Sequence, residues 1–319
     1  MKRTIDYIIS DPEGNTTILV LSQTERRDYP QVAKLLLAKH PQAEQVGFIK
    51  TDAGGNPVSM EMCGLEFCGN ATRSFGFYRS MLSDPPAREL DLKVSGCDHP
   101  LKCWIDPPKP GEKDEEGYLC GRVRVEMPVP TDIETVRIPV SEEFGSLAEQ
   151  LTGGCLEGRI VHMDGISHLV IPGVSDSMIR QEGQERIGEL FCFIRDYIYE
   201  TNERDMPAFG VMFVDEAADR MNPIVYVRDV DTIYFEGSCA SGSAAAACAA
   251  AAEDIAAGRK GKPLAGQRPR ACMYSYRFRQ PAGTLSIDVT AESGAITGLQ
   301  LYGGVRQSDV MRTETEGSE

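Results

Sequence analysis

The chain alternates between short β-branched runs and two kinds of helical pattern. Apolar residues spaced by two, bounded by Gly, Pro, Asn or Asp, predict strands near 5–10, 16–21, 46–50, 58–62, 89–94, 101–105 and 119–127. Pro30 followed by QVAKLLLAKH predicts a helix with proline in its first turn. Residues 70–82 predict a second helix, and DPPKPGEKDEEG from Asp106 to Gly117 a charged loop between two strands. The second half repeats the plan, with strands near 156–163, 167–172, 208–215, 223–228 and 232–236. A helix over 177–201 follows from Ile179, Ile187, Leu190, Phe191, Ile194 and Ile198 falling on one face. The alanine-rich stretch 243–257 reads as another helix, and strands near 271–279, 283–290 and 295–302 follow it. The polar residues 310–319 read as a disordered tail.

Two cysteine motifs stand at matching places in the two halves, Glu66-Phe67-Cys68-Gly69-Asn70-Ala71-Thr72 and Gly237-Ser238-Cys239-Ala240-Ser241-Gly242-Ser243. Each precedes a helix-forming run. A small-residue turn follows later in each half, Lys93-Val94-Ser95-Gly96 in one and Gln280-Pro281-Ala282-Gly283 in the other, and each turn leads into a strand. Matched order over four elements argues for duplication and an α+β chain of two pseudo-twofold domains. Residues 1–127 would form the first domain, joined by a C-terminal strand over 295–309, and residues 128–294 the second.

A net charge of -15 turns the chain away from nucleic acid and anionic membranes as partners. The start MKRTIDYIIS has no signal-peptide core and no run is long enough to span a bilayer, so a cytoplasmic location is expected. In that compartment ten cysteines do not imply disulfides. Cys155, Cys192, Cys248 and Cys272 read as buried small hydrophobes, and Cys97 as structural. Without a CxxC pair or paired histidine spacing, no metal site is expected.

A cysteine at a helix N-terminus meets the positive end of the dipole, which is expected to lower its pKa. Two such thiols on opposite faces of a carbon could remove a proton from one side and deliver one to the other, with no cofactor. Free backbone N–H groups at the helix starts could stabilise the carbanion. Gly69, Asn70, Gly242 and Ser243 would let backbone approach the substrate, with side-chain hydrogen bonds from Asn70 and Ser243, and Ala240 and Ser241 complete the second motif. Cys63 competes with Cys68 but falls at the end of a strand. Arg73 reads as orienting the first helix or pairing with Glu66, and His168 is a candidate to reach substrate from the second half.

FCGNATR at 67–73 and SCASGSA at 238–244 resemble the paired motifs of the diaminopimelate epimerase superfamily. The resemblance implies two domains, each a barrel-like sheet around a central helix, with the active site in the cleft and Cys68 and Cys239 as the two bases. The chain departs from diaminopimelate epimerase itself: Asp11-Pro12-Glu13-Gly14-Asn15 replaces its opening HGxGNDF, and the Glu-Arg pair expected before the second cysteine is missing. Losing that arginine removes a clamp for a second carboxylate. The segments PEGNTTILV, EQVGFI, KVSGC, IYFEGSCASG and QPAG look like the histidine racemases that supply D-histidine for opine-type metallophores. By that resemblance Asn15 and Glu44 join the site, Glu44 toward the imidazole or amino group, with Glu236 beside the second thiol. The chain differs in its charged loop at 106–117, in CASGS for CGSGT and in its longer C-terminus. The expected partner is a small amino-acid substrate, and a homodimer is the commonest assembly for such an enzyme. Other isomerases of the superfamily, or a thiol redox or metal-binding protein, are the alternatives.

Overall fold

The computed structural model describes residues 2–109, 111–140, 144, 156–264 and 271–316. The chain divides into two compact units, Met1–Met127 with Gln300–Glu319, and Pro128–Leu299. Their class is α+β, mostly strands with four helices among the described residues.

In the first unit, β1 (Lys2–Asp11) runs antiparallel to β2 (Thr17–Val20), and β2 runs parallel to β3 (Gln45–Thr51). The parallel step needs a crossover, which α1 (Tyr29–Lys39) provides. Its Tyr29 ring stacks on Phe48 of β3 at 3.7 Å between centroids. The order continues through β4 (Pro57–Met62), β5 (Glu89–Val94), β6 (Leu101–Asp106) and β7 (Leu119–Met127). The segment of β17 (Ala295–Gln307) that belongs to this unit pairs with both β7 and β1, so the pairings close on themselves. The helix α2 (Gly69–Met81) packs against β2, β4, β5, β6 and β7. Small residues allow this: a Cβ on Gly76 would lie 3.1 Å from Leu92 and 2.5 Å from the Cys103 sulfur.

The second unit places β8 (Asp132–Ile138), β9 (Leu156–Met163), β10 (Ile166–Ile171), β11 (Ala208–Asp215), β12 (Arg220–Val227) and β13 (Thr232–Phe235) in one run of pairings. The β10–β11 pair is parallel and is crossed over by α3 (Asp176–Thr201), whose Ile187, Leu190, Phe191, Ile194 and Ile198 are buried against β11 and β12. The helix α4 (Ala240–Ala256) packs against β9, β10, β11, β15 (Ala271–Arg279) and β16 (Thr284–Glu292). Alanine is the best helix former and the smallest side chain with a Cβ, so seven alanines of α4 are buried against that wall. A two-residue strand, β14 (Lys262–Pro263), pairs with β15.

Three expectations change, and β8 is an additional strand. Residues 311–316 are not a disordered tail but a strand, β18 (Met311–Glu316), antiparallel to β1 from Lys2↔Glu316 to Tyr7↔Met311. Its alternation turns Met311 toward the core and Arg312 outward, where Arg312 meets Asp6 at 2.6 Å. The strand β8 carries too mixed a pattern to be expected from sequence, and β9 supplies its ladder. The long helix α3 is broken at Gly183, which adopts φ 80. Of the cysteines read as buried, Cys248 is, Cys192 and Cys272 are only half-buried, and Cys155 lies outside the described residues.

The charged loop is fastened to its own unit. Asp114 accepts the Tyr118 and Glu116 N–H groups and pairs with Arg306 of β17, while Lys113 meets Asp309 at 2.7 Å.

Candidate active site

Cys68 caps α2. Its sulfur accepts the Ala71 N–H at 3.4 Å, and the Thr72 hydroxyl donates back to the Cys68 carbonyl at 2.7 Å. The thiol in turn donates to Gln45 Oε1 at 3.3 Å. The amide of Gln45 is oriented by its own donations, to Asn15 Oδ1 at 2.6 Å and Thr17 Oγ1 at 2.9 Å. Asn15 then donates to the Glu44 carboxylate. A directed chain of hydrogen bonds therefore runs from Cys68 through Gln45 and Asn15 to Glu44. The expected residues Asn15, Glu44 and Cys68 do come together, and the residue joining them, Gln45, was missed. Gln45 lies in the same EQVGFI segment that brought Glu44 into the site by resemblance, but a neutral amide gave no sign of its own.

Glu44 is pushed above the ordinary carboxylate range by burial, against the Asn15 bond, and Asp11 adds to the rise. Asn70 is buried and accepts from Arg73 at 2.9 Å. Arg73 is wholly buried and also donates to Pro12 and Gly304 carbonyls at 2.7 and 3.1 Å, so it ties the 11–14 turn and β17 to α2 rather than pairing with Glu66. Burial lowers its pKa to about 10, with Glu13 opposing. The need for glycine at 69 comes from packing: a Cβ there would lie 2.7 Å from the Met127 sulfur and 3.0 Å from Leu301.

Cys239 caps α4 by the same device. Its sulfur accepts the Gly242 N–H at 3.2 Å, and the Ser243 hydroxyl donates to its carbonyl at 2.7 Å. Ala240 and Ser243 are buried beside it. Ser241 Oγ lies 3.6 Å from the sulfur and 2.9 Å from His168 Nε2. His168 is fully buried, and its Nδ1 has no hydrogen-bond partner among the described residues. Burial drives its pKa down to about 3, so the ring is neutral. A proton on Nε2 leaves only a lone pair unpartnered at Nδ1, which costs less than an orphaned N–H. In that tautomer the ring donates to Ser241, and the Ser241 hydroxyl is free to donate to the sulfur. His168 thus meets the thiol through Ser241. The Glu236 carboxylate sits beside the thiol as expected, hydrogen-bonds it and disfavours its ionisation. A Cβ on Gly242 would lie 3.0 Å from the Cys239 sulfur and collide with Met212, so glycine there keeps room for the thiol.

The thiol acidities reverse the expectation. Burial pushes Cys68 up to about 11, against the lowering from the Ala71 N–H. Burial raises Cys239 too, with Glu236 next. Helix N-termini stabilise a thiolate by one or two N–H groups, and desolvation outweighs them here. Cys63 lies at the end of β4, its N–H bonded to the Val46 carbonyl, and caps no helix.

The small-residue turns matched in sequence have a matched task. Ser95 donates to the Glu66 carbonyl at 2.8 Å, and the Ala282 N–H donates to the Gly237 carbonyl at 2.8 Å. Each turn therefore holds the residue two places before its cysteine.

The family described as Histidine racemase CntK N-terminal domain matches residues 4–309. The chain belongs to this family. It is an isomerase and a histidine racemase homologue. The histidine racemase of Staphylococcus aureus (strain Mu50 / ATCC 700699) is 27% identical over 246 residues, 76% of this chain and 78% of that protein. The histidine racemase of Fusobacterium nucleatum subsp. nucleatum (strain ATCC 23726 / VPI 4351) is 27% identical over 243 residues, 76% of this chain and 79% of that one. Among solved structures, a predicted epimerase from Pseudomonas aeruginosa matches with a TM-score of 0.57 at 10% identity, covering 98% of this chain and 100% of its own. Methylitaconate-delta-isomerase matches with a TM-score of 0.51 at 10% identity, covering 99% and 96%. These two likenesses are of fold.

Proposed function

We propose that this racemase-family member interconverts L- and D-histidine, with Cys68 and Cys239 as acid and base on opposite faces of the α-carbon. The observation that carries this reading is the family match over 4–309, which includes two cysteines with one local geometry, each capping a helix and each accepting an N–H three residues on. The units read as duplicates of a diaminopimelate-epimerase-like domain, each with strands around a central helix. The reading needs no cofactor, because thiols carry both proton transfers and helix N–H groups receive the carboxylate as negative charge develops.

Both thiols rest protonated. The substrate therefore has to help: an ammonium about 4 Å from a sulfur contributes about 4 kcal/mol at an effective dielectric near 20. Glu44 is suited to the cation of the imidazole or amino group, since a carboxylate destabilised by burial and by Asp11 gains most from a positive neighbour.

Proton NMR in D2O with reduced protein tests this, using L- and D-histidine beside a panel that includes diaminopimelate. Loss of the histidine α-proton with appearance of the other enantiomer is expected. Exchange with another amino acid and none with histidine would keep an isomerase and refute the substrate. Cys68→Ser and Cys239→Ser should each lose racemisation by orders of magnitude while each washes out the α-proton of one enantiomer only. Full racemisation by either variant would sink the two-thiol assignment.

A further inference from the structure

Gln280 opens the turn between β15 and β16, and it is 5% exposed. Its Oε1 accepts the Cys239 N–H at 2.7 Å, and its Nε2 donates to Ser243 Oγ at 3.0 Å. Ser243 Oγ in turn donates to the Cys239 carbonyl at 2.7 Å. One amide thus grips both backbone polar groups of the cysteine, one directly and one through a hydroxyl. The Gln280 N–H donates to the Gly283 carbonyl at 2.7 Å, and the Ala282 N–H donates to the Gly237 carbonyl at 2.8 Å, so the side chain stands on a turn that is itself anchored.

An N-cap residue has extended backbone while its side chain must point back along the helix, and small rotations there swing the sulfur away from the N–H it accepts. Cys239 has φ -107 and ψ 112 with the Gly242 N–H at 3.2 Å. We infer that Gln280 is a positioning residue for Cys239, fixing the backbone of the cap so that the sulfur stays aimed along the helix N–H groups. The inference rests on Cys239 acting as a base in the proposed reaction.

The test uses the full chain. Gln280→Met keeps the length and bulk of the side chain and removes both polar groups. Gln280→Glu keeps the acceptor, and a carboxyl buried there rests protonated, so it can also donate to Ser243. The modification rate of each cysteine by methyl methanethiosulfonate at fixed pH, read by peptide mass spectrometry, reports on the caps whether or not histidine is the substrate. For Gln280→Met we expect Cys239 modification to fall about fivefold or more while Cys68 is unchanged, and Gln280→Glu to recover most of the loss. Racemisation should lose kcat with little change in KM, equally in both directions because the equilibrium constant of a racemisation is one. A Cys239 rate that falls less, rises, or falls together with that of Cys68 overturns the inference, as does a Gln280→Glu variant no better than Gln280→Met. Failure of histidine to react with the wild-type protein would overturn the substrate assignment and leave the Cys239 rates to decide the role of Gln280.

Discussion

Titrating Cys68 in the free protein is the most direct check of the reversed thiol acidity. A thiol at about 11 is three units above pH 8, so about one molecule in a thousand carries the thiolate there. Forming it costs about 4 kcal/mol at that pH, from about 1.4 kcal/mol per unit. A thiol at its ordinary value of 9.0 would be ionised about one time in ten, so the net rise, led by burial, slows a thiolate-dependent reaction about a hundredfold. The assay is the rate of Cys68 carboxamidomethylation by iodoacetamide between pH 7 and 10.5, followed on its peptide. The rate should climb about tenfold per pH unit with no plateau below about pH 10. At saturating substrate, racemisation should level off at a much lower pH, since a bound ammonium returns energy of the same size as the cost. A plateau of the modification rate near pH 7 to 8 would refute the reasoning, because it would mean that the helix N–H groups outweigh desolvation after all.

Three further outcomes follow from the packing and the buried groups. Gly69→Ala should destabilise the fold by about 1–3 kcal/mol, since its Cβ would press on Met127 and Leu301; a melting temperature equal to wild type would argue that the wall yields. Gly242→Ala should lower both stability and activity, as its Cβ would lie 2.2 Å from the Met212 sulfur and 3.0 Å from the Cys239 sulfur, and a variant with unchanged melting temperature and kcat would contradict this. His168 has its folded pKa depressed to about 3 from 6.5, so the unfolded chain binds its proton first as pH falls. Stability from this group is complete above about 6.5 and is lost toward 3, by up to about 5 kcal/mol; His168→Gln should flatten denaturant midpoints across that window, and an unchanged slope would count against it.

The half-sites were legible where chemistry is local. A cysteine followed by small and hydroxyl residues and then a helical run is a cap signal within seven residues, and Thr72 and Ser243 make the same bond to their cysteines. The turns at 95 and 282 were legible as a repeat, though not as clamps. Gln45 and Gln280 were not legible, because a neutral amide carries no signal until the fold brings it to a sulfur or a backbone N–H. The direction of the thiol shifts was misread for a related reason: the dipole is a property of the helix, while desolvation comes from strands distant in sequence. The strand β18 escaped because MRTETE alternates only weakly in hydropathy, and its register is supplied by β1. Gly183 gave no sign of breaking α3, since an isolated glycine is tolerated in many helices.

The pairing of β1 with β18 and of β7 with β17 bears on how the chain reaches this state during synthesis. The second unit is continuous, Pro128–Leu299, and can fold as soon as it leaves the ribosome. The first unit must wait for residues from 300 onward, because β17 closes its ring of strands and β18 covers β1. Until then β1 and β7 present open edges, which are templates for wrong partners. Prior folding of the insert shortens the wait by drawing residues 127 and 300 together, replacing a long loop closure with a short one. Mutations that weaken only the second unit would therefore surface as aggregation of the first.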